Sequence, residues 1–506
     1  MNEFLRTIAR PLMLVLTVML LMRWINSDPK TEVKKPVNAY TTFSDKANEV
    51  DTSSESIALS NKDINVEIDK ETGNIVFLSL KHYNEDLNDK TPLIILDKAR
   101  NEIARPVLQN VKTQEIVKYD SHSILEDEKF YNIILKSNTN SDIVVTKYAI
   151  SKDDYTISIA TSVEKGSGLY RLDYQISNQL KKSNVSIFNP ATWSFKLAQG
   201  HVGASISIPT KFDYKKLFLD SFDKENFVAV STGGWISMQK ELFLTAIIPN
   251  ETDETTFYTA KSADDKCIIG FEFKDLISEN RSKEVTFYSG PEIREVLDSL
   301  APNLSDTIDY GFLYYICIAL FALISKINSF CSNWGLSIVL ATVVIKIITY
   351  PLSLMAVKSK KKMSSISGKL SEIKEKYKDN PELYNQESMK LYKNANVNPF
   401  SGILSSLIPA PIFISLFWIL NQSVELRMSS LFWIDDLSAS DPYFILPALY
   451  SILMLIQQLY NNSAKLMSYT TLLPILFFAL FSAMPAGVLL YFVTSSLISI
   501  LTEKPQ

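Results

Sequence analysis

The sequence predicts an α-helical polytopic membrane protein of six spans, with a large all-β domain inserted between its first span and the rest. Three observations predict it. Charge-free apolar runs lie at both ends of the 506-residue chain and flank a long polar middle, so the mean hydropathy of +0.05 averages two opposite regions. Within that middle, apolar residues recur with period two over short runs bounded by turn residues, the pattern of half-buried strands. Charge is divided too: the formal total is −4, yet residues 354–402 carry +5 and residues 26–308 about −10. The composition, 46% apolar and 21% charged with 20 Pro and 14 Gly, excludes collagen-like, disordered and disulfide-stapled classes. Of three cysteines only Cys267 falls in the polar middle, which therefore has no internal disulfide.

Residues 1–25 read as a signal-anchor span, in which the basic segment MNEFLRTIAR precedes the apolar PLMLVLTVMLLMRWI. A cleaved signal peptide has the same outline. The residues after the apolar core, however, are Arg23-Trp24-Ile25-Asn26-Ser27 and not an A-x-A-like site, which favours a retained anchor. Residues 26–55, rich in Lys, Asp, Thr and Ser, form a linker. From 56 to 305 the alternation is sustained. In INVEIDKETGNIVFLSL (64–80), Ile64, Val66 and Ile68 share one face and D-K-E-T-G-N supplies a hairpin turn. DIVVTKYAIS, YTISIATSV, FLTAIIP, CIIGFEF and EVTFYSG repeat the pattern with no long helix between them, which predicts a β-sandwich over 56–305.

Two apolar runs follow, around 310–330 and 335–357. If both crossed the bilayer, the ten lysines of 358–393 would lie on the same side as the β-domain, against the cytoplasmic bias of Lys and Arg. Residues 306–334 are therefore assigned to an interfacial amphipathic helix and the second run to a span. Further runs lie at 403–420, 442–460, 471–484 and 487–501, the last two joined by the tight turn Met484-Pro485-Ala486-Gly487. The membrane core is thus 335–501, with 502–506 as a short C-terminal tail. Both termini and the lysine-rich loop are placed in the cytoplasm, and 26–308 and the acidic 421–441 loop outside. The shortest runs reach only about 20 Å of the roughly 30 Å hydrocarbon core, which calls for local thinning or shielding by neighbours.

Within 358–398, Met363, Ile366, Leu370, Ile373 and Tyr377 repeat at spacings of 3, 4, 3 and 4. Asp379-Asn380-Pro381 ends that helix and starts a second bearing Leu383, Tyr384, Leu391 and Tyr392, which predicts an antiparallel helical hairpin. Its lysines, among them Lys360, Lys361, Lys362 and Lys369, suit lipid headgroups, ribosomal RNA or a nascent chain, or simply a solvated face that fixes topology.

The residue that carries chemistry is Lys346, the one formal charge inside any span after the first and about eleven residues from either end of its own. A charge at that depth is costly and normally faces a bundle interior or a wet cavity, where it would attract an acidic group of a passing substrate. Pairing with a carbonyl, or deprotonation, is the plainer reading. Polar neighbours favour the cavity: Ser337, Thr342 and Thr349 on the same helix, Gln457 and Gln458, and Thr494, Ser495 and Ser496. Small hydroxyls also serve ordinary helix packing. Enzyme signatures are absent from the sequence, with no G-x-G-x-x-G, H-E-x-x-H or G-x-S-x-G, and His82, His122 and His201 are scattered, so neither catalysis nor a metal or other cofactor is predicted. A small-solute transporter and an envelope carbohydrate-binding protein are the rival classes. The first would usually show paired repeat halves, and the second a clustered acid/base pair.

The architecture and the strings GGWISMQKELFLTAIIP (233–249), YSGPEI (288–293), DYGFLYYI (309–316), NWGLSIVL (333–340), NANVNP (394–399), SVELR (423–427), LFWIDDLSASDPYFILP (431–447) and MPAGVLLYF (484–492) resemble the YidC membrane protein insertases of Gram-negative bacteria over essentially the whole chain. The resemblance implies a periplasmic super-β-sandwich and a five-helix core enclosing a hydrophilic groove open to cytoplasm and lipid. It also implies insertion of small membrane proteins alone, and of larger ones with the Sec translocon. The groove cation maps onto Lys346, the groove Thr onto Thr342, and an aromatic pair onto Tyr491 and Phe492, with Gln458 and Ser495 beside them. Departures are a Lys where the family usually has Arg, Phe492 without a hydroxyl, Pro409 at the position of a third-span Gln, and no basic tail. Ribosome contact would then fall to the helical hairpin, and no DNA partner is implied.

Overall fold

The computed structural model describes residues 55–84, 91–139, 142–178, 188–189, 194–195, 202–217, 228–261, 267–310, 313–378, 380–395, 409–427, 429–461 and 473–502. The anchor assigned to 1–25 and nearly all of the linker lie outside them, as does the start of the run at 403–420. Contacts divide the chain into two units, one mostly β and one mostly helical.

The β unit is built from two nine-stranded, antiparallel sheets. One runs β1 (Ser56–Ser60), β2 (Ile64–Asp69), β3 (Ile75–Asn84), β5 (Ile103–Asn110), β10 (Tyr170–Asn178), β19 (Cys267–Phe273), β18 (Glu254–Lys261), β15 (Val228–Thr232), with β4 (Pro92–Asp97) paired to β3. The other runs β14 (Phe212–Leu217), β13 (Val202–Ile208), β16 (Trp235–Lys240), β17 (Phe243–Pro249), β20 (Ser282–Pro291), β9 (Thr156–Lys165), β8 (Asp142–Ser151), β7 (Phe130–Thr139), β6 (Ser121–Glu126). The short β11 (Phe188–Asn189) and β12 (Ser194–Phe195), which belong to the other unit, pair with each other.

The hairpin at 64–80 shows how the sequence builds this. Ile64, Val66 and Ile68 oppose Leu80, Leu78 and Ile75, and all six are buried. In the turn, the Asp69 carboxylate accepts the Glu71 and Thr72 amides at 3.0 and 2.9 Å, and Gly73 takes φ +72, a backbone that side-chain-bearing residues resist. A Cβ there would also meet the Tyr148 hydroxyl at 2.7 Å. That hydroxyl donates to the Gly73 carbonyl at 2.5 Å and so ties β8 of one sheet to a turn of the other.

The sandwich interior is aromatic, with Tyr174, Phe257, Phe271 and Phe273 in contact; Trp235, on the other face of its sheet, is fully buried with its indole donating to the Pro302 carbonyl at 3.0 Å. On the opposite faces of the two sheets, buried polar groups form hydrogen-bonded networks. Asp173 Oδ2 accepts the Tyr258 hydroxyl at 2.6 Å and the Gln175 amide at 2.5 Å, while Arg105 Nε donates to Gln175 Oε1 at 3.0 Å. Burial pushes the Asp173 carboxyl up to about 7 despite those bonds. Glu292 accepts the Gln239 amide at 2.7 Å and is likewise pushed up to about 7 by burial.

The helical unit comprises α2 (Tyr314–Cys331), α3 (Trp334–Lys376), α4 (Pro381–Asn394), α5 (Pro409–Gln422), α6 (Ile445–Asn461), α7 (Leu473–Phe481) and α8 (Ala486–Thr502); α1 (Arg294–Leu300) closes the β unit. Two stretches among the described residues, Tyr314–Cys331 and Trp334–Pro351, are long and apolar enough to cross a membrane. Helix α3 does not stop near Val357 but runs on without a break to Lys376, carrying Pro351 within it. Asn380 caps α4, accepting the Leu383 amide at 3.2 Å, with Pro381 in the first turn. On the stripe of α3, Ile366 is buried and Leu370, Ile373 and Tyr377 half-buried. On α4 the inward face is Tyr384, Ser388 and Leu391, while Leu383, expected on the stripe, is 41% exposed.

Candidate functional site

Lys346 projects from α3 into contact with α8, where its Nζ donates to Ser499 Oγ at 2.9 Å. Helix α3 starts at Trp334 and α8 at Ala486, so the two residues lie about 18 and 20 Å along their helices. Lys346 is only half-buried and lies where two faces of α3 meet. Ile338, Ala341, Thr342 and Ile345 are buried on one side, and Ile347 and Ile348 are 68% exposed on the other. The ammonium therefore sits between α3 and α8 at the border of the buried face of α3. A third helix adds polar edge, since Gln457 Nε2 of α6 donates to the Ser496 carbonyl of α8 at 3.3 Å.

One end of this bundle is closed by the loop 429–441. Gly487 at the start of α8 donates its amide to the Leu437 carbonyl at 2.9 Å, and a Cβ there would lie 2.7 Å from Leu420 of α5. Gly335 at the start of α3 is packed equally tightly against Leu431. Three helix ends are thus drawn onto one loop by close approach at two glycines.

The model of the "YidC periplasmic domain" family matches residues 56–323, and that of the "60Kd inner membrane protein" family residues 326–504. The membrane protein insertase YidC of Legionella pneumophila (strain Paris) is 35% identical over 500 residues, covering 92% of this chain and 87% of the relative. The chain belongs to the YidC family of membrane protein insertases. The YidC of Francisella philomiragia is 33% identical over 467 residues, covering 87% of this chain and 81% of its own length. A crystal structure of an active YidC insertase with its first transmembrane domain resolved is 18% identical, with a TM-score of 0.39, over 98% of this chain and 100% of that one.

The positions carried over from the YidC resemblance differ in what they face. Thr342 is buried and its hydroxyl donates to the Ile338 carbonyl of its own helix at 2.7 Å. Tyr491 is buried, with the half-buried Ser495 as its hydrogen-bonding neighbour. Phe492 packs in an aromatic cluster, its ring 5.1 Å from Phe413, 5.3 Å from Tyr450 and 5.1 Å from Phe481, so it joins α8 to α5, α6 and α7. Gln458 is half-buried, but it is Gln457 that reaches α8. Ser499, which sequence reasoning missed, is the hydroxyl that meets Lys346. It lies four residues after Ser495 and three after Ser496, so helical spacing alone placed it one turn deeper on the same side. On the hairpin Lys369 is exposed, and Lys360, Lys361 and Lys362 continue the helical backbone of α3.

Proposed function

We propose that this insertase moves inner-membrane proteins into the bilayer through the groove between α3, α6 and α8, with Lys346 as its fixed cation, and helps them fold. The observation that carries the reading is the half-buried Lys346 ammonium inside the apolar stretch Trp334–Pro351, held by the Ser499 hydroxyl at 2.9 Å. In this mechanism a substrate hairpin meets the α3–α4 extension, where Lys369 and Lys360–Lys362 offer positive charge. Its short polar, often acidic, external segment then enters the groove, where partial hydration and the cation lower the cost of desolvation. Its apolar segment leaves sideways into lipid past α5, α7 and α8, gaining roughly 25 cal/mol for each Å² of apolar area removed from water. The apolar runs 471–484 and 487–501, short against a hydrocarbon core of roughly 30 Å, make the barrier thinner than an unperturbed bilayer.

The topology that serves this places both termini and the α3–α4 hairpin in the cytoplasm and 26–308 in the periplasm. Helix α2 lies along the interface: its buried residues Cys317, Leu320 and Ile324 form one narrow stripe, while Tyr315 and Phe330 are 85% and 79% exposed. The Sec translocon and, through the hairpin, the ribosome are the further partners of this reading, together with membrane lipid. The test is insertion of a small Sec-independent membrane protein into vesicles holding this protein alone. Protease-protected substrate above the level of empty vesicles supports the reading, and equality with empty vesicles refutes autonomous insertion.

A further inference from the structure

The loop between α5 and α6 contains two phenylalanines in backbone conformations that phenylalanine resists. Phe432 has φ 53 and Phe444 φ 55. The first is at the tip of a two-residue turn. Leu431 and Ile434 exchange both backbone hydrogen bonds, at 2.8 and 3.0 Å, so Phe432 is the first central residue, where a positive φ normally selects glycine or asparagine. Internal packing does not account for it, because Phe432 is 88% exposed and its ring stacks on the adjacent Trp433, centroids 6.2 Å apart. The turn is held firmly nonetheless. Asp441 accepts the Trp433 indole at 3.0 Å, the Tyr443 amide at 3.1 Å and the Leu446 amide at 2.7 Å, and Asn333 at the head of α3 donates to the Ser430 carbonyl at 3.2 Å.

Each strained phenylalanine continues an exposed apolar stripe of a helix. Phe444 and Tyr443 lead into Ile445, Leu449 and Ile452 of α6, at helical spacing and all exposed. Leu431, beside Phe432, rests on Gly335, next to the exposed stripe Leu336, Leu340, Val343 and Ile347 of α3. Asp435, also exposed, marks the watery side of the same loop.

We propose that residues 430–444 form a lipid-contact wedge, with Phe432 and Phe444 seated at the boundary between headgroups and acyl chains, where they set the depth of α3 and α6. Bulky side chains held in a strained backbone at a rigid, exposed tip are what such a contact requires, and aromatic rings are the side chains that favour this layer. The occupant is lipid, because the exposed apolar surface is continuous with two membrane helices and borders the exposed Asp435 carboxylate.

The experiment replaces Phe432, Phe444 or, as a control, Asp435 with a benzophenone-bearing phenylalanine in the full chain, in vesicles of phosphatidylethanolamine and phosphatidylglycerol. After irradiation, peptide masses should show lipid adducts at 432 and 444 in several-fold excess over 435. Equal adducts at all three, or adducts only to peptides of this chain, would overturn the proposal. A second measurement separates packing from lipid contact. Phe432→Gly removes the backbone strain and should leave the unfolding midpoint in detergent unchanged or raised, whereas a clear fall would mean that the ring supports the fold and would also overturn the wedge.

Discussion

Two polar groups of this protein, one in each unit, are buried in opposite ways. In the sandwich, Asp173 is fully enclosed and bonded to Tyr258 and Gln175, with Arg105 next in line. In the helical bundle, Lys346 is half-buried and bonded across helices to the Ser499 hydroxyl. An enclosed network gains stability from its bonds and is disrupted by losing one. A half-buried cation within an apolar helix is, in the proposed function, the group that meets a passing charge. Under the proposed function, the degree of enclosure around a side chain, and not its type alone, separates structure from function in this chain.

The comparison is sharpened first where the largest effect is expected. Trp235→Ala removes a fully buried ring and its bond to Pro302, and should destabilise the protein by about 3–5 kcal/mol, read as a lower unfolding midpoint of the β unit. Next is the pH response. Asp173 and Glu292 titrate near 7 in the fold but near 4 when unfolded, so their contribution is fully present below about 4 and is lost as pH rises to about 7. Asp173→Asn should flatten that fall by roughly 1 kcal/mol per pH unit between about pH 5 and 7, measured by thermal unfolding across pH. An unchanged slope would mean that the Asp173 network is open to water. Smallest is Ser499→Ala, which removes the hydroxyl that meets Lys346. It should change stability by about 1 kcal/mol or less and slow substrate insertion only a few-fold, since the charge remains in place.

Much of the β unit was legible because period-two runs record burial directly. Ile64, Val66 and Ile68 are inside as their alternation requires, and D-K-E-T-G-N makes the turn. The strand order was not legible: β10 lies between β5 and β19, pairings that span long stretches of chain and that no local pattern encodes. In the helical unit, Lys346 announced itself as a charge in an apolar run, and Asn380-Pro381 announced the start of α4. Ser499 was hidden, and Gln457 was not separable from Gln458, for a physical reason. A serine or glutamine among apolar residues reads the same whether it faces a groove or a neighbouring carbonyl, and only the packing of α8 against α3 and α6 decides. The continuity of α3 past Val357 was obscured by a similar ambiguity, since its lysines change the polarity of the helix without ending it.

The central claim is that Lys346 acts as a cation in transfer and not as part of the scaffold. The direct measurement is insertion of a small Sec-independent membrane protein into vesicles containing the wild type, Lys346→Arg or Lys346→Ala, with thermal unfolding of each variant in parallel. The account predicts that Ala lowers insertion at least about tenfold, equivalent to about 1.4 kcal/mol, while Arg sustains it and both variants unfold near the wild-type midpoint. Normal insertion by Lys346→Ala would contradict it, and so would a loss of insertion that merely follows a loss of fold.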